Sequence, residues 1–293
     1  MTITLGNKIG EGGCSEVFEI GNNQIIKLVK GNTSIEAARR EYLNNCIAWE
    51  RGLSVPQPFD FIEVDGRPGI IVEHIIGETI MERFFKQAVN NISKVDNQDD
   101  DIRLTAQQLH KVHNTLVVGN ELPSQRPVIK SSIMSVNYLS EQEREHIISL
   151  IDSLPSKLCM CHGDPNPGNI IIKNDGKAVL IDWMNATIGN PEADIAEFII
   201  MIRYAVLPSN FPENFKIKFD SNREKLINIF MDEYTKLSEI TYEDVVPWIT
   251  PIAARKLTAD AIPEIEKEKL VQEIRRILTT KPAKVTQRRG DIS

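Results

Sequence analysis

The sequence predicts an α+β fold of two lobes, a small β-rich N-terminal lobe with one helix and a larger, mainly helical C-terminal lobe. Short apolar runs separated by glycine and asparagine turns occupy about the first 75 residues. Helical periodicity dominates the rest of the chain, and one pair of short apolar strands interrupts it. We therefore expect an N-terminal lobe over residues 1–75, a C-terminal lobe over 76–280 and a disordered tail over 281–293.

The composition argues against several classes of protein. The chain has 293 residues, of which 41% are hydrophobic and 26% charged, and its net charge is −7 at pH 7. It has no run of about 18 apolar residues, so no transmembrane helix and no membrane partner are expected. The first residues lack the apolar stretch of a signal peptide, which predicts a cytoplasmic location. The acidic balance argues against nucleic acid and favours a neutral or cationic small substrate. Nothing in the composition indicates an oligomeric state.

Two turns predict the strands of the N-terminal lobe. Gly21-Asn22-Asn23 joins an apolar run that ends at Ile20 to a second run over residues 24–29, which is typical of a hairpin. The Asp65-Gly66 turn separates two further strands, over residues 59–64 and 70–73.

One helix lies between these strand pairs. Thr33 and Glu36 form a candidate capping box at its start. Ala38, Glu41 and Trp49 follow at helical spacing and share one face, which we expect to pack on the sheet.

The C-terminal lobe is predicted to be helical around one buried hairpin. Two apolar strands, over residues 169–172 and 178–182, flank an Asn-Asp-Gly-Lys turn. Residues 94–101 and 123–127 read as loops. Helices are predicted over residues 80–92, 102–116, 141–154, 192–205, 223–237, 242–261 and 264–278.

A glycine-rich turn is the first candidate for chemistry. Gly10, Gly12 and Gly13 lie between two apolar β runs. Glycine permits positive φ and lets backbone amides approach phosphate oxygens. A dinucleotide-binding motif is excluded because a strand, and no helix, follows the glycines. The pattern alone also fits an ordinary hairpin.

A lysine and a glutamate form the second candidate. Lys27 lies inside an apolar strand and Glu41 on the apolar face of the helix. A buried charge needs a partner, so we expect the two side chains to pair. By itself the pair is equally compatible with a purely structural ion pair.

The third candidate is the run Cys161-His162-Gly163-Asp164-Pro165-Asn166-Pro167-Gly168-Asn169. Its glycines and prolines exclude a helix or a strand, so a rigid loop presents Asp164 and Asn169. Asp182 follows at the end of the buried hairpin. Two carboxylates and an amide that converge can hold Mg²⁺ and orient a nucleophile.

This ordered set resembles the aminoglycoside phosphotransferases and choline kinases, the small-molecule branch of the protein-kinase-like fold. The likeness extends from about residue 5 to about residue 205, and its most specific part is His-Gly-Asp-x-x-x-x-Asn followed by Ile181-Asp182-Trp183. The remaining chain resembles these proteins only in being helical. The resemblance implies that residues 1–75 bind nucleotide and that residues 76–280 carry catalysis and acceptor binding.

The resemblance also implies roles for single residues. Lys27, held by Glu41, would contact the α- and β-phosphates of ATP. Asp164 would be the catalytic base, and Asn169 and Asp182 would bind Mg²⁺.

Further positions follow from the same resemblance. Glu73 and Ile75 would offer a carbonyl and an amide to the adenine ring. Ser15 stands where protein kinases usually have a third glycine, so its hydroxyl would help to hold phosphate. His162 and Asp194 would be structural.

The predicted function is transfer of the γ-phosphoryl group of Mg-ATP to a hydroxyl of an aminoglycoside, a choline-like amino alcohol or a sugar. An atypical protein Ser/Thr kinase is an alternative, although the short segment 183–191 leaves no room for a long activation loop. A non-catalytic ATP-binding scaffold is a second alternative, although the lysine, the base and the metal ligands are all present. GTP in place of ATP stays open, because the adenine contacts use backbone atoms.

Two histidine and cysteine groups suggest metal sites only weakly. Cys159 and Cys161 precede His162, but no second ligand pair follows at zinc spacing. His110 and His113 share a helix face without the glutamate of a metalloprotease motif, so we expect them in the core. Acceptor selection is predicted in the helices after Glu192, with these acidic candidates: Asp232, Glu233, Glu239, Glu243 and Asp244.

Overall fold

The computed structural model describes residues 3–89, 96–117, 121–259 and 262–279. An antiparallel sheet of five strands forms the N-terminal part, in the order β1-β2-β3-β5-β4. Its strands are β1 (Lys8–Glu11), β2 (Ser15–Gly21), β3 (Gln24–Val29), β4 (Pro58–Val64) and β5 (Arg67–Glu73). The turn between β2 and β3 has positive φ at Gly21, Asn22 and Asn23, residue types that tolerate this conformation. The predicted hairpin is therefore confirmed.

Helix α1 (Ile35–Glu50) packs on this sheet. Its N-cap is Ser34, whose hydroxyl accepts a hydrogen bond from the Ala37 amide at 3.2 Å. The predicted capping box of Thr33 and Glu36 is therefore wrong. The amide of Thr33 donates to the Lys30 carbonyl within the preceding turn, so the helix begins one residue later.

The C-terminal part contains the remaining helices. They are α2 (Ile80–Val89), α3 (Asp96–His113), α4 (Gln125–Met134), α5 (Glu141–Ser153), α6 (Pro191–Tyr204), α7 (Glu213–Ser238), α8 (Tyr242–Lys256) and α9 (Glu264–Thr279). Nearly every residue of α6 is buried, so this helix forms the centre of the lobe. None of the described helices combines the length and apolar character that a membrane span requires.

Five short strands lie beside the helices. Strands β6 (Gly77–Thr79), β8 (Ile170–Lys173) and β9 (Ala178–Leu180) form one antiparallel sheet, with β8 in the middle. Strand β7 (Cys159–Cys161) pairs with β10 (Thr187–Gly189). The predicted hairpin of β8 and β9 is confirmed, and it lies directly after the loop that carries Asp164.

Several element boundaries differ from prediction. Of the loop predicted over 123–127, residues 125–127 are instead the start of α4, where Pro127 falls in the first helical turn and needs no amide partner. The acidic residues 96–101 belong to α3, and α7 begins ten residues before position 223, directly after Pro212. The predicted ends of two helices, residues 90–92 and 260–261, and the predicted tail 281–293 lie outside the described residues. The boundary between lobes at residues 75 and 76 stays a prediction.

Candidate active site

Lys27 is held by two carboxylates from different parts of the chain. Its ammonium group contacts the carboxylate of Glu41 on α1 and lies 3.4 Å from Oδ1 of Asp182, which follows β9. Glu41 is only 6% exposed, and its second oxygen, Oε2, has no hydrogen-bond partner. The predicted ion pair between strand and helix is therefore present, and it extends to Asp182.

The charges of this group depend on each other. Burial alone would lower the pKa of Lys27, but Asp182 and Glu41 outweigh burial and raise it above its ordinary value, so the lysine is cationic. Burial raises the pKa of Glu41, Lys27 lowers it, and the negative charge of Asp182 raises it further. One cation faces two carboxylates here, which leaves a net negative charge at the site.

Asp164 and Asn169 form a second pair on the loop between β7 and β8. The Asn169 side-chain amide donates to the backbone carbonyl of Asp164 at 3.0 Å and to its Oδ2 at 3.1 Å. Asn166 organises the intervening turn, because its carbonyl accepts from the Asn169 amide at 2.9 Å and its Oδ1 from the Gly168 amide at 2.8 Å. The loop thus orients the carboxylate of Asp164 through its own residues.

Helix α6 holds the loop between β7 and β8 in place. The buried carboxylate of Asp194 accepts from the backbone amides of His162 at 2.5 Å and Gly163 at 2.9 Å. The ring of His162 packs against Trp183, and its Nδ1 lies 3.3 Å from the Asp164 amide. Asp194 and His162 thus hold the loop in place, which agrees with the structural role that the resemblance implied for them.

Gly163 cannot carry a side chain at this position. Its φ is +80°, and a Cβ would lie 2.2 Å from the backbone oxygen of Asn185. Close approach of two backbone segments therefore requires glycine directly before Asp164.

The hairpin links the two pairs into one site. The amide of Ile181 donates to the Asn169 carbonyl at 2.9 Å, and the Ile181 carbonyl lies 3.1 Å from Nε2 of His162. Asp182 comes next, with a φ of +66° that turns the chain out of the strand. Lys27, Asp164, Asn169 and Asp182 are thus connected by an unbroken series of contacts.

The glycine-rich turn lies between β1 and β2. The Gly12 amide donates to the Ser15 carbonyl at 2.9 Å, and nothing lies within 4 Å of where a Gly12 Cβ would be. None of Gly10, Gly12 and Gly13 has positive φ, so the conformational reason given for these glycines is wrong. What glycine provides at Gly12 is open space above the backbone. Ser15 begins β2 and is buried.

Side chains from the segment after β3 hold this turn. Lys30 donates to the Gly12 carbonyl at 2.8 Å and pairs with Glu11 at 2.6 Å, while Asn32 donates to the Gly13 carbonyl at 3.1 Å. Lys30 and Lys8 lower the pKa of the exposed Glu11 to about 2. These contacts tie the turn to the segment that follows β3.

Glu73 and Ile75 lie where the sheet gives way to the C-terminal part. Glu73 is the last residue of β5, and its amide donates to the Gln57 carbonyl at 2.9 Å. The next amide, of His74, donates to the Asn23 carbonyl at 2.8 Å. Ile75 follows in an extended connection to β6 and is partly exposed.

A cavity of about 470 Å³ opens beside Asp164; we call it the Asp164 cavity. Its wall includes Ser132, Asp164, Met201, Lys256, Ile262 and Glu266. Burial raises the pKa of Asp164, the nearby Glu197 raises it further, and Lys256 opposes them. Asp164 thus faces a space of the size that binds small molecules.

A buried ion cluster supports this wall. Glu197 on α6 pairs with Arg255 at 2.8 Å and with Lys256 at 2.7 Å, both at the end of α8. Arg255 also donates to the Gly163 carbonyl at 2.8 Å. Although burial alone would raise it, the two cations lower the pKa of Glu197 to about 2. Sequence reasoning missed this cluster.

The acidic residues that the sequence suggested for acceptor selection do not line the Asp164 cavity. Glu233 binds Gln107, Asp244 caps α8, and Glu239 ends α7. The carboxylates in the wall come instead from the loop, α6 and α9.

The cysteine and histidine residues that suggested metal sites contact other protein groups instead. Cys161 is buried, and Nδ1 of His113 lies 2.5 Å from the Tyr234 hydroxyl. His113, Cys161 and Asp194 bring candidate ligand atoms within 4.8 Å of one another, but both oxygens of Asp194 already accept backbone hydrogen bonds. His110 packs edge-on against the same tyrosine.

A small antiparallel sheet with a lysine–glutamate pair, joined to a helical lobe that presents Asp164 and Asn169, defines a protein of the kinase-like fold class. Residues 30–223 match the model of the phosphotransferase enzyme family, APH. The chain therefore belongs to this family, which confirms the predicted enzyme class. A comparison with curated proteins finds no match.

Solved structures give the same fold. A thermostable mutant of the aminoglycoside phosphotransferase APH(4)-Ia is 11% identical, with a TM-score of 0.62 over 94% of each chain. Choline kinase LicA from Streptococcus pneumoniae is 15% identical, with a TM-score of 0.60 over 94% of each chain. An aminoglycoside-3'-phosphotransferase of type VIII is 15% identical, with a TM-score of 0.57 over 88% of this chain and 93% of that one. The two-lobed kinase-like prediction is confirmed.

Proposed function

We propose that the protein transfers the γ-phosphoryl group of ATP to a hydroxyl group of a small molecule. The observation that carries this proposal is the series of contacts from Lys27 through Asp182 and Asn169 to Asp164. In support, these contacts link a cation, two carboxylates and an amide, and phosphoryl transfer depends mainly on positioning and charge stabilisation by such groups.

Nucleotide binding is assigned to the first 75 residues. Lys27 binds the α- and β-phosphates, the turn of Gly10, Gly12 and Gly13 covers them, and Ser15 contributes its hydroxyl. The Glu73 carbonyl and the Ile75 amide receive the adenine ring. In support, the solved LicA structure contains AMP, and that of APH(2")-IIa contains ATP with streptomycin.

The residues present also fit a magnesium ion. Asn169 uses its amide nitrogen on Asp164, which leaves its side-chain oxygen for another partner, and the Asp182 side chain is 40% exposed. Carboxylate and amide oxygens are the ligands that Mg²⁺ prefers. Bound there, magnesium would neutralise phosphate charge. Lys27 would remain paired with Glu41 and would direct its other N–H groups to the nucleotide.

Asp164 acts as the base for the acceptor. Its carboxylate is oriented by Asn169 and opens onto the Asp164 cavity, so an acceptor hydroxyl there can donate its proton to Asp164 as the phosphoryl group arrives. Residues 76–280 thus supply catalysis and acceptor binding. Because the reaction consumes ATP, we place it in the cytoplasm.

A small acceptor fits better than a protein. The segment after Asp182 forms one helical turn, Trp183–Asn185, and then strand β10, and α6 begins at Pro191. This segment is short and packed against β7, so it offers no extended loop on which a peptide substrate could dock.

The test is ADP release with Mg-ATP and a panel of hydroxyl compounds. We expect Asp164→Ala to lower kcat by about 10²- to 10⁴-fold with little change in ATP affinity. Asp182→Ala should remove magnesium-dependent ATP binding. Asp175→Asn, an exposed aspartate in the β8–β9 turn, is the matched control and should behave as wild type. Full turnover by Asp164→Ala would refute the assignment.

A further inference from the structure

Lys256 is a buried cation in the wall of the Asp164 cavity. The single carboxylate of Glu197 accepts from Arg255 through one oxygen and from Lys256 through the other. Two cations share this one carboxylate, and the Asp164 carboxylate is a second negative charge near both of them. Arg255 directs a further N–H to the Gly163 carbonyl. Lys256 lines the Asp164 cavity and uses one N–H group on Glu197.

Lys256 has hydrogen-bond donors that Glu197 does not use. An ammonium group has three N–H donors, and Glu197 takes one of them. The side chain is only 11% exposed, and it lines the cavity together with Asp164. A buried cation with unused donors is costly unless a ligand or water completes its shell. A ligand group that accepts hydrogen bonds would therefore be stabilised next to Lys256.

Among the described residues of the wall, the two other carboxylates already have partners. Glu266 accepts from the Val206 amide at 3.0 Å and lies in the first turn of α9, where the helix dipole favours negative charge. Asp164 is bound by Asn169 and, in the proposed reaction, by the acceptor hydroxyl. The unused N–H groups of Lys256 are therefore open to an anionic group of the acceptor.

We propose that the acceptor is a small hydroxy acid whose carboxylate binds Lys256 while its hydroxyl lies at Asp164. This inference rests on the proposed phosphotransfer and narrows its acceptor. The net charge of the whole chain favours a neutral or cationic substrate, whereas the unused N–H groups of Lys256 favour an anionic group at this point of the cavity. The ester phosphate of a sugar phosphate could meet the same ammonium group, and the test separates the two anions.

The first test compares acceptors that differ by one group. ADP release is measured with wild-type protein, Mg-ATP and these compounds: glycerate and glycerol, gluconate and sorbitol, glucose 6-phosphate and glucose, and kanamycin as a polycation. We expect at least one carboxylate compound to exceed its neutral partner by tenfold or more in kcat/KM. Phosphorylation of no acid, or a preference for kanamycin, for a neutral partner or for the phosphate ester, overturns the hydroxy-acid assignment.

The second test removes the charge. Lys256→Met should raise KM for the preferred acid by about 10- to 100-fold, the usual loss for a hydrogen bond to a charged group. Lys256→Arg should restore most of the affinity, and Lys236→Met, at an exposed position on α7, should match wild type. An equal loss with every acceptor would assign Lys256 to the nucleotide phosphates and overturn the proposal.

Two measurements keep the outcomes apart. Urea denaturation reports whether Lys256→Met folds, and if it does not, the matched acceptors on wild type decide alone. Calorimetric titration with Mg-ATP tests the nucleotide site without any acceptor. A protein that binds no Mg-ATP fails the proposed function itself, whereas one that binds it and prefers uncharged acceptors fails only the present inference.

Discussion

Replacing Asp194 by asparagine should destabilise the protein and stop catalysis together. The Asp194 carboxylate is 2% exposed and accepts from two backbone amides, of His162 and Gly163. Asparagine keeps one carbonyl oxygen and turns an NH₂ group toward the second amide, so one buried donor loses its partner. Each hydrogen bond to a charged acceptor contributes about 1.5–3 kcal/mol, and the unpaired donor costs about 1–3 kcal/mol more. We therefore expect the free energy of unfolding to fall by about 3–5 kcal/mol.

The assay is urea denaturation together with steady-state kinetics. Because His162 and Gly163 lead directly into Asp164, kcat should fall with stability, whereas Mg-ATP binding should persist because Lys27 and Asp182 lie on other elements. Asp175→Asn is the control, since Asp175 also accepts from a backbone amide, at 3.1 Å, but is exposed. It should change stability by less than about 0.5 kcal/mol. Wild-type stability and kcat in Asp194→Asn would refute the reasoning.

Three further substitutions test the same site. Gly163→Ala should cost about 2–4 kcal/mol in urea denaturation and lower kcat, because it combines a positive φ with a contact to the Asn185 oxygen; wild-type behaviour would contradict this. Burial raises the pKa of Asp164, so the stability this group contributes is present below its unfolded pKa and is lost as the pH rises through the folded pKa. Asp164→Asn should therefore stabilise the protein by about 0.5–2 kcal/mol at pH 7 while abolishing transfer, with no gain near pH 3; a less stable variant at pH 7 would contradict the sign. Glu197→Gln should cost about 3–5 kcal/mol, since it leaves two buried cations without a carboxylate. Glu224→Gln, which removes an exposed ion pair, should cost under about 1 kcal/mol, and equal losses would count against a buried cluster.

Local sequence patterns were sufficient to predict two of the contacts described above. Asp164 and Asn169 lie five residues apart on one loop, so the motif itself brings them together. Lys27 and Glu41 are 14 residues apart, but a charge within an apolar strand and a charge on an apolar helix face each require a partner. These two contacts could be predicted before any tertiary information, whereas the catalytic roles of the residues stay a prediction.

Other features depended on tertiary packing. Arg255 and Lys256 look like ordinary solvent-exposed residues at a helix C-terminus, and their burial arises only from the packing of α8 on α6. Glu197 did carry a signal, because a helix that is apolar on all sides must bury its acids as well. Strands such as β6 and β10 have three residues, too few for a period to be read.

The β8–β9 hairpin has its candidate site residues at one end and its turn at the other. Asn169 and Asp182 stand at one end, while the turn over residues 174–177 is exposed at the other, about 15 Å away along the strands. At the end near Asn169 and Asp182, the pairing of Ile170 with Leu180 and the hydrogen bond from the Ile181 amide to the Asn169 carbonyl hold the register. We therefore expect an affinity tag or a fluorescent reporter inserted between Asp175 and Gly176 to leave Asn169 and Asp182 in place.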